Sequence, residues 1–130
     1  MSPIALPDNC DEICCGVCVE DDDLTITGWG ADEDDVFPID LLKIKKGIFE
    51  HGACNKAWRN GITSSMFCTS INIGREICGG DSGGPAIRSG VQVGIVSFGT
   101  GVCGDGSYPT GYTRIEAPIV RNWIRTVSGI

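Results

Sequence analysis

The residues best equipped for chemistry lie together in one short stretch, Cys78-Gly79-Gly80-Asp81-Ser82-Gly83-Gly84-Pro85. It is polar, dense in glycine, and followed by apolar runs. A hydroxyl set among glycines has no neighbouring side chain to cover it. Glycine also allows positive φ and close backbone approach, so several N–H groups can converge on one point. Acyl transfer needs that combination: an exposed nucleophile, here Ser82, and donors aimed at the charge that develops on a carbonyl oxygen. An aspartate and a serine in a loop also make ordinary turns. The eight-residue string is far more specific than the pair.

The elements that must position this stretch are mostly strands. Leu24 to Gly30 alternates apolar and β-branched polar residues, and Leu41 to Phe49 reads as a half-buried strand with lysines on its wet face. Met66-Phe67-Cys68 and Gly111 to Ile115 read the same way, and Ala86-Ile87 with Val91 to Phe98 predicts a hairpin turned at Ser89-Gly90. Cys54 to Trp58 suits one short helical turn. Ile119, Val120, Trp123, Ile124 and Val127 recur at helical steps after Pro118, which predicts an amphipathic terminal helix. Pro3 and Pro7 keep residues 1–9 extended. Residues 10–23 form a cysteine-rich and then acidic loop; Asp21, Asp22 and Asp23 make a solvated turn, and calcium would need a liganding pattern that is missing. Many short strands and one terminal helix predict an antiparallel barrel or sandwich.

With 130 residues the chain can build one domain and one core. Its 42% hydrophobic and 21% charged content is that of a globular protein. The net charge of −7, without a basic patch, argues against a nucleic-acid partner. No segment reaches membrane-spanning length, and nothing calls for a cofactor or a metal. The 8 cysteines suggest disulfides and an oxidising compartment. Zinc is the competing reading for Cys10, Cys14, Cys15 and Cys18, but the chain has one histidine, His51, and no second paired-cysteine element. Met1 to Pro7 does not read as a signal peptide. The cysteine usage of an extracellular protein without an export signal predicts that the protein's beginning lies outside this sequence.

From about Ile4 onward the chain resembles the chymotrypsin/trypsin family of serine proteases. The Cys78–Pro85 string resembles the nucleophile loop. Leu6-Pro7 resembles the segment joining that family's two barrels, and Gly28-Trp29-Gly30 the start of the second barrel. Met66-Phe67-Cys68, Ile95 to Gly99, and Pro109 to Ile115 resemble the pocket-lining strands, with Phe98 where tryptophan is common. Val120 to Arg125 resembles the closing helix. The resemblance implies an all-β fold: an antiparallel six-stranded Greek-key barrel of chymotrypsin-like type, the second of two, with a C-terminal α-helix. Residues 1–23 would be the inter-barrel segment and cysteine-rich loop, and 24–130 the barrel. It implies the bridges Cys54–Cys68 and Cys78–Cys103. A third family bridge would join Leu24 and Arg88, and both halves are absent together; Ala5 likewise stands where another bridging cysteine would be. The cluster Cys10, Cys14, Cys15 and Cys18 is foreign to the pattern, and its pairing stays open.

The resemblance also assigns roles. Ser82 is the nucleophile, the N–H groups of Gly80 and Ser82 form the oxyanion hole, and Asp81 is the activation-pocket carboxylate that pairs with a freshly cut N-terminal ammonium. Glu76, Ser97, Phe98, Gly99 and Thr110 fall at substrate-binding positions. Glu76, six residues before Ser82, suits a basic substrate side chain, or else turns to solvent near Arg75, whereas Thr110 narrows the pocket. The histidine and aspartate of the triad are absent. His51 lies in the wrong barrel and reads as a polar surface residue, so the chain alone is expected to be inactive. The leading reading is the C-terminal half of a secreted trypsin-like endopeptidase. Its partners would be a protein or peptide substrate, a missing N-terminal barrel, and protein inhibitors. The alternative is a non-catalytic homologue that binds a partner; an isolated β domain with no site is the third.

Overall fold

The computed structural model describes residues 2–10, 24–32, 34–71, 77–100 and 106–130. Seven strands make one antiparallel sheet: β1 (Leu24–Gly28), β2 (Leu42–Lys46), β3 (Ile48–Phe49), β4 (Met66–Thr69), β5 (Pro85–Arg88), β6 (Val91–Phe98) and β7 (Thr110–Arg114). Two helices, α1 (His51–Ala57) and α2 (Pro118–Ser128), complete the described elements. The sheet order is β2-β1-β5-β6-β7-β4-β3. Its two outer strands, β2 and β3, are separated only by Gly47, so both edges belong to one bent run of chain. The sheet therefore curls back on itself. Counting that bent run once gives the six strands expected of a barrel.

Alternation places the core. Leu24, Ile26, Ile48, Phe67, Val96 and Tyr112 are buried, each contributing about 1.5–3 kcal/mol by apolar burial. The Phe67 and Tyr112 rings stack with centroids 4.7 Å apart. The Tyr112 hydroxyl meets Thr69 Oγ1 at 2.9 Å, which satisfies both buried groups. The β5–β6 hairpin turns at Ser89-Gly90 as expected: Arg88 faces Val91, and both turn residues have positive φ. In the β1–β5 pair, Thr25 faces Ile87 and Ile26 faces Ala86. One step further sets Leu24 opposite Arg88, the two positions at which the family bridge is missing together.

Residues 2–10 pack against the sheet and α2. Ala5 bridges Val91, and Gln92 N donates to Ala5 O at 3.0 Å. Two buried arginine side chains and the Glu116 backbone carbonyl hold the rest of this segment. Arg121 Nε donates to Pro7 O at 2.6 Å, Arg114 Nη1 donates to Cys10 O at 3.3 Å, and Cys10 N donates to Glu116 O at 2.8 Å. Arg114 also reaches Glu116 Oε1 at 3.3 Å.

Helix α2 forms where the periodicity predicts, with Pro118 in its first turn and Gly129 closing it through a 2.9 Å bond from its N–H to Arg125 O. Its orientation was not predictable. The residue it buries is Arg121, while Ile119, Trp123 and Val127 are 76%, 65% and 65% exposed. Helix α1 begins earlier than Cys54 because Glu50 caps it, accepting from Gly52 N at 2.8 Å and Ala53 N at 2.7 Å.

Candidate active site

Two tight turns share Asp81. Asp81 N donates to Cys78 O at 3.1 Å, closing the first, and Gly84 N donates to Asp81 O at 3.0 Å, closing the second. The third residue of each turn, Gly80 and then Gly83, has φ of 99° and 85°, which glycine adopts without strain. Ser82 stands at the exposed apex of the second turn. Gly83 N donates to Val96 O at 2.8 Å and Val96 N to Gly84 O at 2.9 Å, which fastens the turn to β6. Among the described residues no hydrogen bond engages the amides of Gly80 or Ser82. Both N–H groups are thus available to an incoming anion.

The Asp81 side chain turns inward, away from Ser82's exposed side. Its Oδ1 accepts from Gly30 N at 2.9 Å and its Oδ2 from Cys78 N at 3.0 Å. These are charge-assisted bonds, stronger than neutral ones. Ala31 N donates to Gly79 O at 2.9 Å, a second tie between the end of β1 and the nucleophile turn. The sequence reading named Asp81 but not the amides that hold it. Gly28-Trp29-Gly30 was a landmark there without a role.

Of the expected substrate-binding residues, Ser97, Phe98, Gly99 and Thr110 are described. Val96 faces Tyr112 and Phe98 faces Gly111, so Ser97 is an extra residue in β6, bulged out and exposed. The Phe98 ring lies over Gly111, where any Cβ would overlap it, and meets the Trp58 ring edge-on at 5.0 Å. Trp58 is itself fixed: its Nε1 donates to Pro109 O at 3.0 Å, and Tyr108 packs on it at 5.0 Å. Thr110 is buried, and its Oγ1 faces Gly99, 3.8 Å from where a Cβ would stand. Trp58 escaped the sequence reading, which gave it only the end of a helical turn. Glu76 lies outside the described residues.

Cys54 and Cys68 form the expected bridge, joining α1 to β4. Cys78 is disulfide-bonded, and Cys103, its expected partner, lies outside the described residues. Cys10 is disulfide-bonded as well, which removes it from any zinc set; Cys14, Cys15 and Cys18 lie outside the described residues. His51 is the first residue of α1. Its Nδ1 is buried with no hydrogen-bond partner, and no hydrogen bond joins it to Ser82. Among the described residues, the Ser82 turn thus presents an exposed hydroxyl and two amides without a protein acceptor, and no histidine is hydrogen-bonded to that hydroxyl.

A family model described as Trypsin matches residues 1–124. The chain belongs to the trypsin family. Among similar proteins, Trypsin 5G1 of Aedes aegypti is 30% identical over 136 residues, a match covering 99% of this chain and 47% of that protein. Human Kallikrein-8 is 32% identical, covering 99% of this chain and 47% of its own. Trypsin Blo t 3 of Blomia tropicalis is 40% identical over 79% of this chain and 40% of its own. The trypsin-family chain therefore spans less than half the length of these relatives. The solved structure of neuropsin, described as a serine protease expressed in the limbic system of mouse brain, superposes with a TM-score of 0.78 at 30% identity. That superposition covers 96% of this trypsin-family chain and 53% of neuropsin's.

Proposed function

We propose that this chain is the nucleophile-bearing half of a secreted trypsin-like serine endopeptidase, which hydrolyses peptide bonds through an acyl-enzyme on Ser82. The observation that carries the reading is Ser82 at the apex of its turn, beside two amides that no acceptor occupies among the described residues. Attack of Ser82 Oγ on a peptide carbonyl places negative charge on the carbonyl oxygen. The Gly80 and Ser82 N–H groups receive it; one such donor is worth about 3 kcal/mol in the transition state. The proton leaves Ser82 for a histidine that then protonates the departing amine, and water releases the acyl group. On this reading that histidine and its aspartate belong to a first barrel outside this sequence, and residues 1–23 are the connection to it.

Exposed apolar surface supports a large missing neighbour. Ile119, Trp123, Val127 and Ile130 line one side of α2, and Phe37 and Ile39, beyond β1, are 65% and 96% exposed. Apolar surface on this scale marks a protein contact. Thr110 narrows the pocket that Glu76 would otherwise dedicate to a basic side chain. Homologues of this family and the disulfide usage support an extracellular location, and among the described residues no helix is long and apolar enough to cross a membrane.

The test is fluorophosphonate labelling of the full-length protein against the 130-residue chain. Ser82 should be labelled in the former and not detectably in the latter. Absence of labelling in native full-length protein would leave the non-catalytic, partner-binding homologue as the function. Coding sequence upstream of Met1 should specify a histidine followed by a cysteine, then an aspartate.

A further inference from the structure

The Asp81 carboxylate occupies the space in which side chains at positions 28 and 30 would stand. A Cβ on Gly28 would overlap Asp81 Oδ1, and a Cβ on Gly30 would lie 2.5 Å from both carboxylate oxygens. Real Cβ atoms do not approach that closely. Backbone conformation does not require glycine at either place, since the described glycines with positive φ are Gly80, Gly83, Gly90, Gly106 and Gly129. The space requires it.

We infer that Gly28 and Gly30 are positioning residues for acyl transfer: their missing side chains form the niche that seats the Asp81 carboxylate and so aims the Gly80 and Ser82 amides. This rests on the acyl-transfer reading of Ser82. The connection is short. Asp81 lies between Gly80 and Ser82, its N–H closes one turn and its carbonyl the other, and its carboxylate is pinned by Gly30 N and Cys78 N. Gly30 also backs Gly80 directly, with its Cα 3.2 Å from where a Gly80 Cβ would stand. The obstructing atoms are the tip of a short side chain and not backbone. An alanine at position 28 or 30 is therefore accommodated by turning the carboxylate out. The core residues Leu24 and Ile26 of the same strand are untouched, but the shared anchor of the two turns is lost.

The experiment uses the full-length protein with Gly28→Ala, Gly30→Ala and Asp81→Ala, singly and as glycine–aspartate double variants. Two readouts are the rate of Ser82 phosphonylation by a fluorophosphonate and the thermal midpoint. Each glycine variant should label at least about ten-fold more slowly with its midpoint within a few degrees of the parent. In the Asp81→Ala background the same alanine should change the rate less than about two-fold, because no carboxylate remains to eject. Parental labelling in Gly28→Ala and Gly30→Ala, or full slowing in the Asp81→Ala background, overturns the inference. If a glycine variant does not fold, its Asp81→Ala double variant should regain folding, and failure to do so also overturns it. If the parent itself is not labelled, the acyl-transfer reading falls, and hydrogen exchange then reads the niche: the Cys78 amide should exchange at least about ten-fold faster in Gly28→Ala, and unchanged exchange refutes it.

Discussion

Replacing Arg114 with methionine probes the clamp that ties Cys10 to Ser64 and Glu116. The Arg114 guanidinium donates to Ser64 O at 2.9 Å, to Cys10 O at 3.3 Å and to Glu116 Oε1 at 3.3 Å, and the two side chains are 1% and 6% exposed. Methionine fills much of the volume but leaves the Glu116 carboxylate without its direct partner. Breaking a buried pair from one side costs about 3–5 kcal/mol. A chain of 130 residues loses roughly 0.27 kcal/mol per degree at its midpoint, so the midpoint should fall by about 11–18 °C. The pH dependence identifies the cause. Burial pushes the Glu116 carboxyl above its ordinary value of 4.5, opposed by the hydrogen bond and charge of Arg114 and then the charge of Arg88. The folded state therefore binds this proton more readily than the unfolded state. Its contribution is complete below the ordinary value and is lost as pH rises through the raised one. Removing Arg114 removes two of the lowering influences, so the loss at pH 7 deepens. At pH 4 the carboxyl is largely protonated and the deficit should shrink. Thermal unfolding followed by circular dichroism at both pH values decides it. Equal deficits at pH 4 and pH 7, or a fall of under about 3 °C, would refute the reasoning.

Two further outcomes follow from the described geometry. Glu50 is held below its ordinary range, mainly by the amides of Gly52 and Ala53, so its stabilisation is present above that range and lost as pH falls through the lowered value. Glu50→Ala should speed hydrogen exchange at those two amides at pH 7, and the effect should shrink as pH falls through the lowered value. On the proposed acyl-transfer function, Thr110→Gly should widen the space beside Gly99 and in the full-length protein raise kcat/KM for substrates with a large side chain before the scissile bond by about ten-fold over small ones. An unchanged ratio would mean that Thr110 does not set the pocket's size.

Much of the fold was legible because its signals are local. Leu24 and Ile26 alternate with threonines and are buried as that alternation demands. Ser89-Gly90 makes its turn from two residues. The turns around Ser82 were legible for the same reason, since both close within four residues. What stayed hidden depends on distant partners. The burial of Arg114 and Arg121 has no sequence signature, because most of their hydrogen bonds run to backbone carbonyls. The stripe on α2 was visible, but a helical period does not say whether its apolar side meets the same chain. Trp58 and Phe98 meet across elements distant in sequence, with α1 bonded to β4 through Cys54–Cys68 and Trp58 held by Pro109 O. The start of α1 was missed because glutamate is an uncommon cap, and here it works by accepting from two amides at once.

The single residue between β2 and β3 has a consequence for how this chain behaves when alone. A half-length β protein would ordinarily present unpaired strand edges, a template for joining other chains by backbone hydrogen bonds. Here, among the described residues, the first and last strands of the sheet are consecutive stretches of one segment bent at Gly47, so the two edges are tied to each other at that residue. Self-association of the isolated chain should therefore run through side chains, with Ile119, Trp123 and Val127 foremost, and give detergent-soluble clusters in place of fibrils.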